Sequence, residues 1–428
     1  MKKKYFLNAN IIDPHNSIEE IGGLIINEDG KIEACGKKVN KNNIPSREKY
    51  IDLKEKYIFP GLVDMRVFGG EPGYEYKENF RTLSNAALSG GVTSVVTMPN
   101  TIPAIDNVSI VDFIKRRGRD KSKINIFPSA SLTKNFEGTN MTEFGLLQKK
   151  GIIAFTDGVK TIQNTRLMSR IMKSAYDLNC LIMQHAEDLE LSKNGMVNDG
   201  IIATKLGLQG IPDFAEKIII ERDLTLLEDF NCRYHISQIS SSKSVELIKQ
   251  RKDIVEFTTG VSINNLSLNE NDIGEFKTFL KLSPPLRTEN DRSSLIEAIN
   301  KSLIDVIVSD HKPEDEEQKR LTFSQAATGA SGIETLLPLT LELFHNGSIK
   351  LSTLIKLLTS NPAKILKIDK GNLSIGNDAD FCIVDLYKPW IVRKEKMVSK
   401  SRNTCIDDKK LQGVVTNTFV KGEELFKV

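Results

Sequence analysis

The chain has 428 residues, 39% of them apolar, which is room for one large domain with a smaller unit beside it. Its 59 basic and 56 acidic residues leave a formal charge of +3, a near balance that gives no footprint for nucleic acid or an anionic membrane. No stretch approaches the roughly 20 apolar residues of a membrane span. The apolar run behind Lys2-Lys3-Lys4 is too short for a signal peptide, so the expected location is cytoplasmic. Five widely spaced cysteines (Cys35, Cys180, Cys232, Cys382, Cys405), with no CxxC pair, read as reduced thiols.

In chain order, residues 5–12, 23–26 and 31–35 read as short strands, the last two joined by an Asp29-Gly30 hairpin turn. The other end supplies strands at 379–385, 411–416 and 418–420, the last two read as a pair around Asn417. Two β-rich ends predict one small β-sandwich built from both termini, residues 1–55 and 371–428. Between them, residues 56–370 alternate. Strands are expected at 58–67, 92–98, 124–131, 152–156, 181–185, 233–239, 254–259 and 304–309. Helical patterns occupy 78–88, 110–116, 165–178, 215–230, 242–250 and 292–301, with apolar residues at three and four spacing. Eight strands alternating with helices predict an α/β fold, a (β/α)8 TIM barrel, whose functional residues stand at the C-terminal ends of strands. The stretch 187–212 after the fifth strand reads as a lid or surface excursion, and the acidic run 314–317 as a solvated loop.

The run Pro60-Gly61-Leu62-Val63-Asp64-Met65-Arg66-Val67-Phe68-Gly69-Gly70-Glu71-Pro72-Gly73 resembles the first barrel strand of the amidohydrolases, and specifically of dihydroorotase in its long bacterial form. The resemblance continues through Met98-Pro99-Asn100-Thr101, Phe155-Thr156-Asp157-Gly158, Gln184-His185-Ala186-Glu187, Arg233-Tyr234-His235, Pro284-Pro285-Leu286-Arg287 and Ser309-Asp310-His311. It implies a metallo-dependent hydrolase barrel that interconverts carbamoyl aspartate and dihydroorotate by metal-activated water. Such water has a pKa of about 7, against about 15.7 in bulk.

Each functional position of that family transfers singly. The His-x-His metal pair corresponds to Arg66 and Phe68, neither of which can ligate. The second histidine of strand six corresponds to Gln238. Asp157, His185 and Asp310 match the remaining ligand positions, Asp310 being also the proton shuttle, and form a residual, incomplete set. Among substrate contacts Asn100 survives, while the arginine, asparagine and histidine of the family stand at Gly70, Ser283 and Glu314. Glu314, if it points inward, adds negative charge where an anionic substrate would lie. The histidine pair after strand seven corresponds to Gly260-Val261. His235 reads as packing, His311 as satisfying a neighbouring carbonyl, and Lys312 as solvated, with an anion contact as its alternative. Removing a dication while keeping Asp157 and Asp310 leaves buried like charges, so Arg66 is expected to reach one of them.

Two functions remain open. The chain resembles the non-catalytic dihydroorotase-like members that lack the metal histidines, which implies no cofactor, a pseudoenzyme role in pyrimidine biosynthesis as a structural partner of aspartate transcarbamoylase, and a homodimer. The alternative is an active dihydroorotase or related cyclic-amide hydrolase with an altered zinc site.

Overall fold

The computed structural model describes residues 2–45 and 47–428, so Met1 of the basic start and Ser46 lie outside the described residues. Three parallel strands, Leu62–Val67, Val92–Thr97 and Asn125–Pro128, form one arc of a barrel. Four more, Leu181–Gln184, Arg233–Ile236, Thr258–Ser262 and Val306–Val308, form the other. The fourth stave, expected as a strand over 152–156, is an extended segment held only by single bridges from Phe155 to Ala130 and to Ile182. The ring closes where Val67 bridges His311 and the Phe68 amide donates to the His311 carbonyl at 2.9 Å.

Alternation along the staves separates two apolar layers. Val63, Met65, Val96, Met98, Met183 and Val308 fill the barrel, and residues such as Leu62, Val95, Ile182 and Ile236 pack outward on the helices. The first stave breaks this alternation. Asp64 pairs with Val95 and Val67 with Thr97, so three residues advance against two. This is a bulge, the device by which a strand re-aims a side chain beside a functional site, and it falls at Met65-Arg66.

The termini form one hydrogen-bonded sheet whose strands run in the order Glu423–Lys427, Lys410–Val420, Phe381–Ile391, Tyr57–Pro60, Lys4–Asp13, Ile18–Ile26, Ile32–Gly36, with Ile51–Asp52 also on Lys4–Asp13. Phe6 and Phe419 lie three strands apart in that order, roughly 14 Å if the sheet were flat. Their ring centroids are 5.3 Å apart, and Phe381 stacks on Phe419 at 4.4 Å. The sheet therefore folds over its own aromatic core.

Several expectations need correction. The apolar run 58–67 is two strands in two sheets, handed over at Gly61. A Cβ there would meet Thr93 Oγ1 at 2.1 Å, so only glycine lets the strands pass this close. Residues 411–420 are one strand, with Asn417 paired to Ile383 and the turn displaced to Lys421-Gly422. The seventh strand begins at Thr258; Ile254 is exposed in the turn before it, and Gly260-Val261 lie within the strand rather than after it. The stretch 187–212 is an ordered clip, containing a short parallel pair Val197–Asn198 and Gly210–Ile211. Buried Arg287 fastens it by donating to Asn198 Oδ1 at 2.9 Å and to the Ile211 carbonyl at 2.5 Å. Among the described residues no helix is long and apolar enough to cross a membrane. All five cysteines are free, and burial pushes each thiol up, Cys382 and Cys405 to about 12, so none is a thiolate.

Candidate functional site

Arg66, delivered by the bulge, is only 3% exposed. Its Nε donates to Asp310 Oδ1 at 2.9 Å and its Nη1 to the Gly158 carbonyl at 3.2 Å. Of the two carboxylates within its expected reach it takes Asp310. Asp310 follows the eighth strand with φ +50°, a left-handed conformation that costs a non-glycine residue energy and recurs at functional sites. Burial pushes its carboxyl above the usual range, opposed by the Arg66 guanidinium, the Gln238 amide and the Lys312 ammonium.

Asp157 is committed elsewhere. Its Oδ1 accepts from the Leu132 and Thr133 amides at 2.8 and 3.0 Å, and its Oδ2 from the Thr133 hydroxyl at 2.5 Å. It thus ties down the loop after the third strand. His185 lies behind the pair, with Nε2 3.4 Å from Ser283 Oγ and 3.8 Å from Glu187, and with Nδ1 buried and unpartnered. Burial, helped by the charges of Arg66 and Lys312, pulls its pKa down to about 3, so the imidazole is neutral. His235, read as packing, is also buried and pulled down to about 3, with Nδ1 2.8 Å from Thr258 Oγ1.

His311 was expected to satisfy a carbonyl. Instead its Nδ1 accepts from the Gly332 and Ile333 amides at 3.2 and 3.4 Å, which places the proton on Nε2, 3.6 Å from Glu78. This Glu78 was not singled out in the sequence. Burial raises its carboxyl, but His311, the Ser399 hydroxyl at 2.5 Å and Thr82 together hold it below its ordinary value. It straps the 399–400 segment against the first βα loop. No sequence motif marks this role.

Outside this inner cluster the mouth opens into a cavity of about 530 Å³ whose lining includes Phe68, Gly70, Asn100, Lys160, Lys312 and Glu314. Arg66, Asp157, His185 and Asp310 are not in its lining. Phe68 stands at its base, its ring centroid 5.5 Å from the Arg66 guanidinium and 5.7 Å from Lys312 Nζ. Glu314 is buried rather than solvated, and Lys77 neutralises it at 2.5 Å, so the negative charge expected there is cancelled. Gly70, at φ +72°, has no space for a side chain, since a Cβ would sit 2.0 Å from the Glu78 carbonyl oxygen. Asn100 faces inward and donates to the Asp157 carbonyl at 3.1 Å. Lys312, read as solvated, is half-buried at the cavity wall, and burial lowers its pKa.

The donors present do not fit the metal that the fold implies. A catalytic zinc takes about three histidine-rich protein ligands and one open position. Arg66 and Phe68, at the positions that the resemblance gives to two ligands, have no group that can ligate, Asp157 has spent both oxygens on a loop, and among the described residues no group of three His, Cys, Asp or Glu is placed to hold an ion. Arg66 supplies one of the two positive charges that a dication would bring.

Residues 55–244 match the Dihydro-orotase-like family. The proteins named dihydroorotase from Ehrlichia canis (strain Jake) and Syntrophus aciditrophicus (strain SB) are 39% and 38% identical to this chain, each over 98% of it and over 94% and 98% of their own lengths. The solved L-hydantoinase (dihydropyrimidinase) from Arthrobacter aurescens has a TM-score of 0.88 at 23% identity, covering 100% of this chain and 96% of that one, which shows the amidohydrolase TIM-barrel fold. With relatives of this identity along nearly its whole length, the chain belongs to the dihydroorotase family.

Proposed function

We propose that this chain is a non-catalytic member of the dihydroorotase family, a structural partner of aspartate transcarbamoylase in pyrimidine biosynthesis that works as a homodimer without a resident metal. The observation that carries the first part is the Arg66–Asp310 ion pair, which puts a fixed positive charge at the ligand locus and engages Asp310, the carboxylate that the resemblance gives as the proton shuttle. Ring opening of an amide needs an activated water, and Arg66 and Phe68, at the positions that the resemblance gives to two metal ligands, cannot hold a metal to activate one. The partner follows from the family resemblance together with a complete scaffold around an altered mouth. The test is co-expression with the transcarbamoylase of the same organism. Co-elution of the two chains, with no ring opening of dihydroorotate in the presence of zinc, supports the reading; zinc-dependent turnover sinks it.

A second reading rests on the names of the relatives, the Ehrlichia canis and Syntrophus aciditrophicus proteins being called dihydroorotase at 39% and 38% identity over 98% of this chain. On that reading the chain hydrolyses a cyclic amide with a rebuilt site, and turnover lost in Asp310→Asn would establish it.

A further inference from the structure

Away from the mouth, a cleft of about 640 Å³ opens at the start of the third stave, where the last two turns of the helix Val108–Lys121 and the turn before the final strand Glu423–Lys427 meet it. Four cations line the cleft, Lys115, Arg119, Lys123 and Lys421, against one carboxylate, Glu423. That surplus equals the formal charge of the entire chain, so the rest of the chain is balanced and its excess positive charge is concentrated here. Lys115 Nζ donates to the Lys150 carbonyl at 2.9 Å, and the ammonium groups of Lys123 and Lys421 have no partner among the described residues. Arg119 has Asp120 at 3.0 Å, and both are exposed. The C-terminal end of the helix brings roughly half a negative charge, too little to offset the four cations.

The backbone that carries these cations is fixed. Buried Gly118 lets the helix rest on Ile126, since a Cβ would lie 3.3 Å from that residue's own, and this brings Lys115 and Arg119 to the edge of the cleft. The Lys123 amide donates to Ser84 Oγ at 2.8 Å and the Lys421 amide to Asp380 Oδ1 at 2.7 Å. Lys421 has φ +51°, a left-handed conformation that glycine and asparagine adopt more readily. A lysine there strains the turn, and its ammonium, free of partners, returns nothing to the fold; strain of this kind recurs where a side chain serves a ligand. Cations on three separate segments suit several linked negative charges rather than one.

We propose that this cleft binds a polyphosphate chain, as in a nucleoside triphosphate or inorganic polyphosphate, held between Lys123 of the barrel and Lys421 of the terminal sheet with Lys115 and Arg119 beside them. The lining also includes half-buried Phe127 and Leu425, an apolar surface for the body of a nucleotide. The inference goes beyond the proposed function and stands whether or not the barrel mouth turns over a substrate.

The test is calorimetric titration of the full chain with tripolyphosphate, ATP and uncharged adenosine at low and high salt. Both polyphosphates are expected to bind, more weakly as salt rises, and adenosine is not. Tighter binding of ATP identifies a nucleotide as the ligand; equal binding identifies the phosphate chain alone. Lys123→Gln combined with Lys421→Asn, which keeps a residue suited to the left-handed turn, should weaken binding tenfold or more, and Lys123→Arg alone should keep it. Lys249→Gln, exposed on the helix Ser242–Arg251, should change nothing. Because the ligand joins the barrel to the terminal sheet, saturating tripolyphosphate should also raise the midpoint of thermal unfolding. No binding of either polyphosphate, unchanged binding in the double variant, or an equal loss in Lys249→Gln overturns the proposal. If the double variant fails to fold, Lys123→Gln alone, at an exposed position, should weaken binding severalfold, and no change there overturns it.

Discussion

Arg66 and Asp310 lie 244 residues apart in the chain and meet at 2.9 Å inside the barrel, joining the first stave to the eighth across the seam that closes the ring. A pair this deep is weak evidence of net stabilisation, because desolvation offsets the Coulomb gain, but breaking one half of it is costly.

Arg66→Met should therefore destabilise the fold by about 3–5 kcal/mol at pH 7, measured by urea unfolding, since it strands the Asp310 carboxylate. Adding Asp310→Asn should recover a large part of the loss. If the double variant is no more stable than Arg66→Met, the two side chains are not coupled.

Arg66→His with Phe68→His supplies two imidazoles beside the neutral His185 and releases Asp310 from its guanidinium, so the doubly substituted chain is expected to take up zinc that the parent chain does not, with Asp157 still held by Leu132 and Thr133. Metal analysis of both chains after dialysis against zinc checks this, and equal zinc contents would contradict the reading of positions 66 and 68 as lost ligands.

Gly158→Ala should cost about 2 kcal/mol or more. Gly158 has φ +68°, and an added Cβ would fall 1.6 Å from Asn100 Oδ1, so backbone strain and overlap combine. Shortening the neighbour, as Asn100→Gly, should return part of this in thermal unfolding. No recovery would mean that the overlap is not the cause.

Acid should expose the two neutral imidazoles. His185 and His235 have folded pKa values of about 3 against an ordinary 6.5, so the unfolded chain takes up protons that the fold refuses. Their contribution is complete above about pH 6.5 and is lost as pH falls toward 3, by at most about 1.4 kcal/mol per pH unit for each. Asp64, which burial raises to about 6, acts in the opposite sense. The informative measurement is the difference between wild type and His235→Gln, whose stability should fall less steeply from pH 6.5 to 4; parallel curves would refute the assignment.

Much of the barrel was legible because several of its helices carry unbroken periods. The helix over 165–178 coincides with Thr165–Leu178, and 215–230 and 242–250 differ from Phe214–Phe230 and Ser242–Arg251 by one residue at one end. Strand ends were poorer guides. Pro60-Gly61-Leu62 is one apolar run in sequence, yet the sheets divide at Gly61, where the deciding fact is the approach of Thr93 from another strand. Within the site, charge balance at the ligand positions given by the resemblance anticipated that Arg66 would meet a carboxylate. That Asp157 was spent on a loop, that Lys77 cancels Glu314, and that Glu78 holds the 399–400 strap are contacts between distant segments with no local signature.

That single-residue handover at Gly61 also bears on how the molecule tolerates cutting. Phe59 and Pro60 are zipped to Cys382 and Phe381 from near the C-terminus, and two residues later Leu62 starts the barrel. Trimming the last fifty residues would leave Tyr57–Pro60, which leads directly into the first stave, paired with Lys4–Asp13 alone, so the enclosing ring and the terminal sheet should melt in one transition rather than as separable halves.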